Sequence, residues 1–433
     1  MKRMVTCSFL LLWLPVALAQ QRTENKPVLV ALKAGHLVDV VNAKVTEKQI
    51  ILIEGERIKT IGPEGSVTIP ADAKVIDLSA ATVLPGLIDC HTHITSQTED
   101  YLSDKFRKSP IDLAVEAHLY AQRTLEAGFT ACRDVGSQEF IDVALKKAIN
   151  DGKVAGPRLS VAGHTLSATG GHGDLSGFSP YLHIDNFMGV VDGVDEIRKK
   201  IRWNIKYGAD LIKFTATAGV LSEEESFGAP QFSGEEMKEI VEEASMWGRK
   251  VAAHAHGAEG IKRAIQAGVT SIEHGSLLDD EGISLMKKYG TYLVPTVFAG
   301  SAVEKYGKQW NLPDKVIKKA RAVNAQKRES FHKAIQAGVK IAYGTDAGVF
   351  PHGMNAADFR LLVELGMTPI QAIQAATLVA AELLGQSDRL GSLQPGKYAD
   401  LIAVQADPLK DITLLEKIPF VMKGGVIYKN KLP

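Results

Sequence analysis

Gly86-Leu87-Ile88-Asp89-Cys90-His91-Thr92-His93 is an apolar run rich in strand formers that ends in two histidines one residue apart. Alternate side chains of a strand share a face, so both imidazoles point the same way. Two neutral imidazoles aimed at one point make a metal clamp, and a strand end is rigid enough to fix its geometry. Taken alone, the pair reads equally well as two surface histidines. The rest of the chain decides between the two readings.

Upstream, from Pro27 to about Ala80, the pattern is short and strand-like: Val28–Leu32, Gln49–Ile53, Arg57–Ile61 and Lys74–Leu78, with turns at Glu54-Gly55 and Gly62-Pro63. This predicts a small antiparallel sheet. The same texture returns in Leu401–Val404 and Phe420–Tyr428. Neither piece is long enough to bury a good core alone, so the two ends are expected to pack as one discontinuous β-sandwich domain. The expected organisation is a signal peptide over residues 1–19, sandwich segments over 20–80 and 385–433, and a central domain over 81–384.

Between the two ends, strand-like runs alternate with helical ones, the signature of a parallel sheet with helical crossovers. Candidate strands end at His93, around Arg133-Asp134, near Ala162, at Lys213, at His254, at His274, near Thr296 and at Asp346. The fold class is therefore α/β, and eight strands with intervening helices fit a (β/α)8 TIM-type barrel. Helices are predicted over Ile111–Ala127, Phe140–Asn150, Gly193–Tyr207, Gly234–Trp247, Gly257–Ala267, Leu278–Lys288 and Arg328–Ala337. Several end on Ala-Gly or Tyr-Gly, as at Tyr207-Gly208 and Ala267-Gly268, where glycine supplies a left-handed cap.

The chain has 433 residues, with 50 basic and 50 acidic side chains, so composition points to neither nucleic-acid nor membrane-surface binding. Met1-Lys2-Arg3, a short apolar run and Ala17-Leu18-Ala19 form a basic end, a greasy segment and a small-residue cleavage site. An exported protein, periplasmic or secreted, is expected, starting near Gln20 and free of the membrane after cleavage. No later run reaches the roughly 18 apolar residues that would span a bilayer. Cys7 leaves with the signal, and sequence does not decide whether Cys90 and Cys132 pair. A homo-oligomer is compatible with the sequence.

In barrels of this kind, catalytic groups lie at the carboxyl ends of the strands. Here those ends carry His91 and His93, Lys213, His254 and His256, His274 and Asp346. A core histidine, a snorkelling lysine or a capping aspartate explains any one of them. Chance is a poor explanation for all of them at once.

With these residues the chain resembles the amidohydrolase superfamily, and more narrowly the bacterial zinc-dependent Xaa-Arg/Lys carboxypeptidase, Xaa-Pro dipeptidase-like and ochratoxin amidase group. The motifs that carry the resemblance are Gly86–His93, Ala168–Asp174, Ile212-Lys213, His254-Ala-His256-Gly257, Glu273-His274, Tyr343–Gly348 and Gly396–Asp400. The resemblance implies two divalent ions, with His91, His93 and Asp346 on one and His254 and His274 on the other, and the nitrogen-rich ligation favours zinc. It implies that Lys213 bridges them as a carbamate formed with carbon dioxide. A protonated lysine is disfavoured beside two cations, whereas a carbamate supplies anionic oxygens.

The implied function is hydrolysis of an amide or peptide bond by a metal-bridging hydroxide, releasing the C-terminal residue of a dipeptide or N-acyl amino acid. Asp346 would take the proton and pass it to the departing amine. His172 is the first candidate to polarise the substrate carbonyl, with His164 and His256 as further substrate contacts. Cyclic-amide hydrolysis, a single-metal deaminase on the same barrel and a catalytically silent binding protein stand as alternatives. Glu223-Glu224-Glu225 reads as a solvated run or as an attractor of a basic substrate, and Arg133-Asp134 as a buried ion pair. Tyr181 and His183 fall in an irregular stretch long enough for a lid. Gly234 stands where some relatives have tyrosine, so neither arginine nor lysine is assigned as the released residue.

Overall fold

The computed structural model describes residues 28–179, 181, 189–222 and 224–432, apart from the side chains of residues 101, 102 and 105. The expected export signal, His183 and Glu223 lie outside the described residues. The first four strands are β1 Leu29–Asp39, β2 Lys44–Glu54, β3 Arg57–Pro63 and β4 Lys74–Pro85. Then come β5 Leu87–Thr92, β6 Phe129–Asp134, β7 Arg158–Val161, β8 Leu211–Thr215, β9 Lys250–Ala255, β10 Ser271–His274 and β11 Tyr292–Val294. The last are β12 Leu401–Val404, β13 Phe420–Lys423 and β14 Val426–Asn430.

Strands from both ends of the chain share one seven-stranded sheet, in the order β14-β13-β12-β4-β1-β2-β3. The join is antiparallel, with Leu401 opposite Pro85 and Ile402 opposite Leu84. Alternation along these strands puts Leu32, Ile51, Val83, Leu401 and Phe420 into one buried cluster. The sheet is mixed, unlike the antiparallel sheet expected, because β1 and β4 run parallel. The segment between β3 and β4 allows this by carrying the chain back before β4 begins. From β4 the chain enters β5 through Gly86, where a Cβ would lie 2.2 Å from Oγ1 of Thr130. A bare backbone is needed there for β5 to lie against β6.

The central region is α/β, with parallel sheets in the orders β5-β6-β7 and β11-β10-β9-β8. Further parallel bridges join Leu166 to Phe214, Leu293 to Ile341 and Thr92 to Ala347. The helices fall where periodicity puts them: Pro110–Glu126, Ile141–Asn150, Gly193–Tyr207, Gly234–Met246, Ala258–Ala267 and Asp280–Tyr289. The last predicted helix is the end of a longer one, Asp314–Gln336. The strand expected to end at Asp346 is reduced to isolated bridges at Ile341 and Ala347. Gly344 there presses on His91 and Val294, where a Cβ would lie 2.3 Å from a Val294 methyl, and Asp346 has φ 66°. This tight, turning backbone cannot keep a regular ladder. Cys90 and Cys132 are both free and buried, and burial pushes both thiols upward in pKa.

Candidate metal centre

The strand ends gather two groups of ligand-type side chains: His91, His93 and Asp346 in one, His254, His256 and His274 in the other. Within each group the nearest donor atoms lie within 4.8 Å of one another. Nε2 of His91 and Nε2 of His93 stand 3.3 and 3.4 Å from the same Asp346 oxygen. The groups adjoin, since the His91 and His274 rings are 4.9 Å apart.

Most of these histidines have one nitrogen tied down. Nδ1 of His91 meets Glu273 at 2.8 Å, that of His93 the Gly136 carbonyl at 3.1 Å, that of His256 Ser276 at 2.8 Å and that of His274 Thr296 at 2.7 Å. Such partners fix the ring and leave Nε2 as the free donor, as metal-ligating imidazoles require. Nε2 of His254 is buried with no partner among the described residues. An orphaned buried nitrogen is costly unless something binds it. Burial lowers the pKa of His93 to about 4 and of His256 to about 3, so these rings are neutral at physiological pH. Neutral, oriented imidazoles with an adjacent carboxylate suit divalent ions of the zinc type.

Lys213, on β8, is 3% exposed. Its ammonium forms no hydrogen bond or salt bridge with any described residue. Its charge bears on both groups, disfavouring protonation of His93 on one side and of His254 and His274 on the other. Burial lowers its pKa to about 8, against the pull of Glu273 and Asp346. A neutral amine is thus accessible near physiological pH, and a neutral amine is the form that adds to carbon dioxide.

Beneath the ligands lies a polar layer that sequence reading only half found. Arg133 bonds Glu273 at 2.7 Å and Ser271 at 3.0 Å, so the expected Arg133–Asp134 pair is corrected. Adjacent strand residues face opposite ways, and Asp134 instead accepts from the Ile94 and Gly136 amides. By the same alternation Glu273 and His274 should diverge, yet both reach His91. His274 does so with φ 69°, a left-handed backbone that turns its ring inward. Thr296 and Asp346 share this conformation, at 44° and 66°. Such strain costs on the order of 1–3 kcal/mol per residue and collects at functional sites. Two residues before His91 on β5, Asp89 accepts from Thr345 Oγ1 at 2.6 Å and Asn355 at 2.8 Å, which anchors the turn that presents Asp346.

His172 joins the centre, stacking on His254 with centroids 4.2 Å apart and its Nδ1 buried without a partner among the described residues. Burial lowers its pKa to about 3, leaving a neutral ring. His164 does not join it. Its ring stacks on Phe140 at 4.5 Å, outside both groups. Tyr181 is 89% exposed, and Glu224 bonds Gln231. A cavity opens beside the centre, lined by His172, His254, His256, His274 and Asp346 together with Lys327. Lys327 was missed because a lysine in a long amphipathic helix carries no signal of its own.

A profile described as "Amidohydrolase family" matches residues 82–428. The ochratoxinase of Aspergillus niger is 35% identical over 376 residues, spanning 80% of this chain and 76% of that protein. A crystal structure of a Xaa-Pro dipeptidase with methionine bound in its active site superposes with a TM-score of 0.89 at 42% identity, over 93% of this chain and 100% of the other. A prolidase complexed with N-methylphosphonate-L-proline gives a TM-score of 0.87 at 32% identity, over 93% and 100%.

Proposed function

The chain belongs to the amidohydrolase family and is a hydrolase acting on C–N bonds; from that premise we propose that it is an exported binuclear metallohydrolase that releases the C-terminal residue of a dipeptide or N-acyl amino acid. The observation that carries the reading is the buried Lys213, unpaired among the described residues, whose charge bears on two ligand groups at once.

In this reading His91, His93 and Asp346 would hold one divalent ion and His254 and His274 the other, and Lys213, as a carbamate, would serve both. Zinc fits the nitrogen-rich donor set. Two such ions supply an activated water at neutral pH and polarisation of the scissile carbonyl. The remaining steps belong to the protein. In the ion-free chain burial opposes the Asp346 charge, but His91 first, then His93 and Lys213, hold the carboxyl below its ordinary range, so it stands ionised and can act as the base. It takes one from the attacking water and returns it to the departing amine, whose protonation completes C–N cleavage. His172, neutral and beside His254, offers a ring N–H to the carbonyl oxygen as it gains charge. Glu273 holds His91 so that Asp346 keeps its place.

The bridges at Leu166, Leu293 and Thr92 support closure of the parallel strands into a (β/α)8 barrel. The shared seven-stranded sheet supports one outer domain drawn from residues 20–80 and 385–433. Export rests on the basic and apolar N-terminus. The test is a mass-resolved screen of dipeptides and N-acyl amino acids with the zinc-loaded chain. Release of an amino acid is expected, and no release from any member of a broad panel would end the reading.

A further inference from the structure

The cavity beside the centre runs outward between the helices Val297–Tyr306 and Asp314–Gln336. Its outer walls are aliphatic: Val220, Ala299, Val303, Ala320, Val323 and Val349. Apart from Asp346, the charged side chain in its lining is Lys327, which is 5% exposed. The Lys327 ammonium donates to the Val297 carbonyl at 2.8 Å. That bond uses fewer donors than an ammonium carries. Asp358 acts on it through space, but no described carboxylate pairs with it.

Gly300 lies over the same nitrogen. A Cβ there would stand 2.9 Å from Nζ and 2.4 Å from Oδ1 of Asn324, itself buried without a partner among the described residues. The helix backbone therefore packs directly on Lys327 and Asn324, and any larger residue at position 300 would displace the ammonium. A buried cation between aliphatic walls is unfavourable until an anion joins it. The ligand that satisfies both features carries a carboxylate next to an uncharged apolar group. The cavity measures about 70 Å³. At roughly 10–15 Å³ per water-sized group, it admits about five to seven heavy atoms in all, so a carboxylate held at Lys327 leaves room for a short apolar side chain. A cationic side chain would meet Lys327 with no acidic group of the outer wall to offset it.

We propose that Lys327 binds the α-carboxylate of the residue released by this enzyme, and that the aliphatic walls select leucine-, methionine- or proline-sized side chains over arginine and lysine. This rests on the amide-cleaving reading of the same site. Two arms of the experiment keep the two ideas apart.

The first arm measures kcat/KM for N-acetyl-leucine, its carboxamide and N-acetyl-arginine with wild type, Lys327→Met and Lys327→Arg. Wild type should prefer the acid over the carboxamide by roughly 10- to 100-fold, the range of a charge-assisted hydrogen bond. Lys327→Met should bring that ratio near one, and Lys327→Arg should retain part of it. The second arm titrates L-leucine and L-arginine calorimetrically into wild type and both variants. Leucine should bind more tightly, weakened about tenfold or more by Lys327→Met. A folded Lys327→Met that keeps both the acid preference and leucine affinity overturns the proposal, as does tighter binding of arginine. Leucine binding that depends on Lys327, without hydrolysis of any substrate, would instead sink the amide-cleaving reading and leave the pocket assignment standing.

Discussion

Removing the Arg133 charge should expose how much the polar layer beneath the ligands contributes. Arg133 and Glu273 are 4% and 0% exposed and meet at 2.7 Å, with Glu273 also holding His91 at 2.8 Å. Burial opposes the Glu273 charge, but Arg133 and then His91 outweigh it and bring the carboxyl from 4.5 to about 2. That gap corresponds to roughly 3 kcal/mol of stability. Truncating one partner of a buried pair costs about 3–5 kcal/mol, so the two routes agree. Because the folded pKa is lowered, the stabilisation is present above about pH 4.5 and is lost as pH falls towards 2. Arg133→Met in chelator-treated protein should lose about 3 kcal/mol in urea at pH 7 and about half of that at pH 3. Adding Glu273→Gln should recover part of the loss by removing the stranded charge. A single variant within about 0.5 kcal/mol of wild type at pH 7 would refute the reasoning, because a buried carboxylate cannot lose its cation so cheaply.

Lys213→Ala should abolish hydrolysis and lower metal content, with partial rescue by small carboxylic acids, and retained full activity would end the carbamate assignment. His172→Ala should lower kcat by about 100-fold while metal occupancy measured by mass spectrometry stays near wild type; loss of metal would make it a ligand. Lys423 tests linkage far from the centre. Its ammonium bonds the Gly156 carbonyl, and burial followed by Arg158 lowers its pKa to about 8. The unfolded chain therefore holds more protons from about pH 8 to 10.5. Stability should rise with pH across that window, and Lys423→Met should flatten the rise in thermal melts.

What the sequence made legible were features with a fixed period or a fixed backbone need. Helix spans such as Gly193–Tyr207 followed from apolar spacing and a left-handed glycine cap at Gly208. His91 with His93, and His254 with His256, followed from strand alternation. The illegible features depend on contacts across strands or on broken alternation. Glu273 stood next to His274 in the sequence, yet strand logic put them on opposite faces, and the positive φ of His274 reverses that. Arg133 looked like a partner for its neighbour Asp134, while its actual partner is 140 positions away. His164 follows the right strand but turns towards Phe140, where an aromatic ring offers it a stacking face. The eighth strand was lost because the Gly344–Asp346 backbone curls around the ligands.

If the two ligand groups and Lys213 hold a pair of ions, elemental analysis of the wild-type chain, reconstituted with zinc and bicarbonate and then desalted, will count them. Close to two zinc ions per chain is the predicted result; one ion or none per folded chain would contradict it.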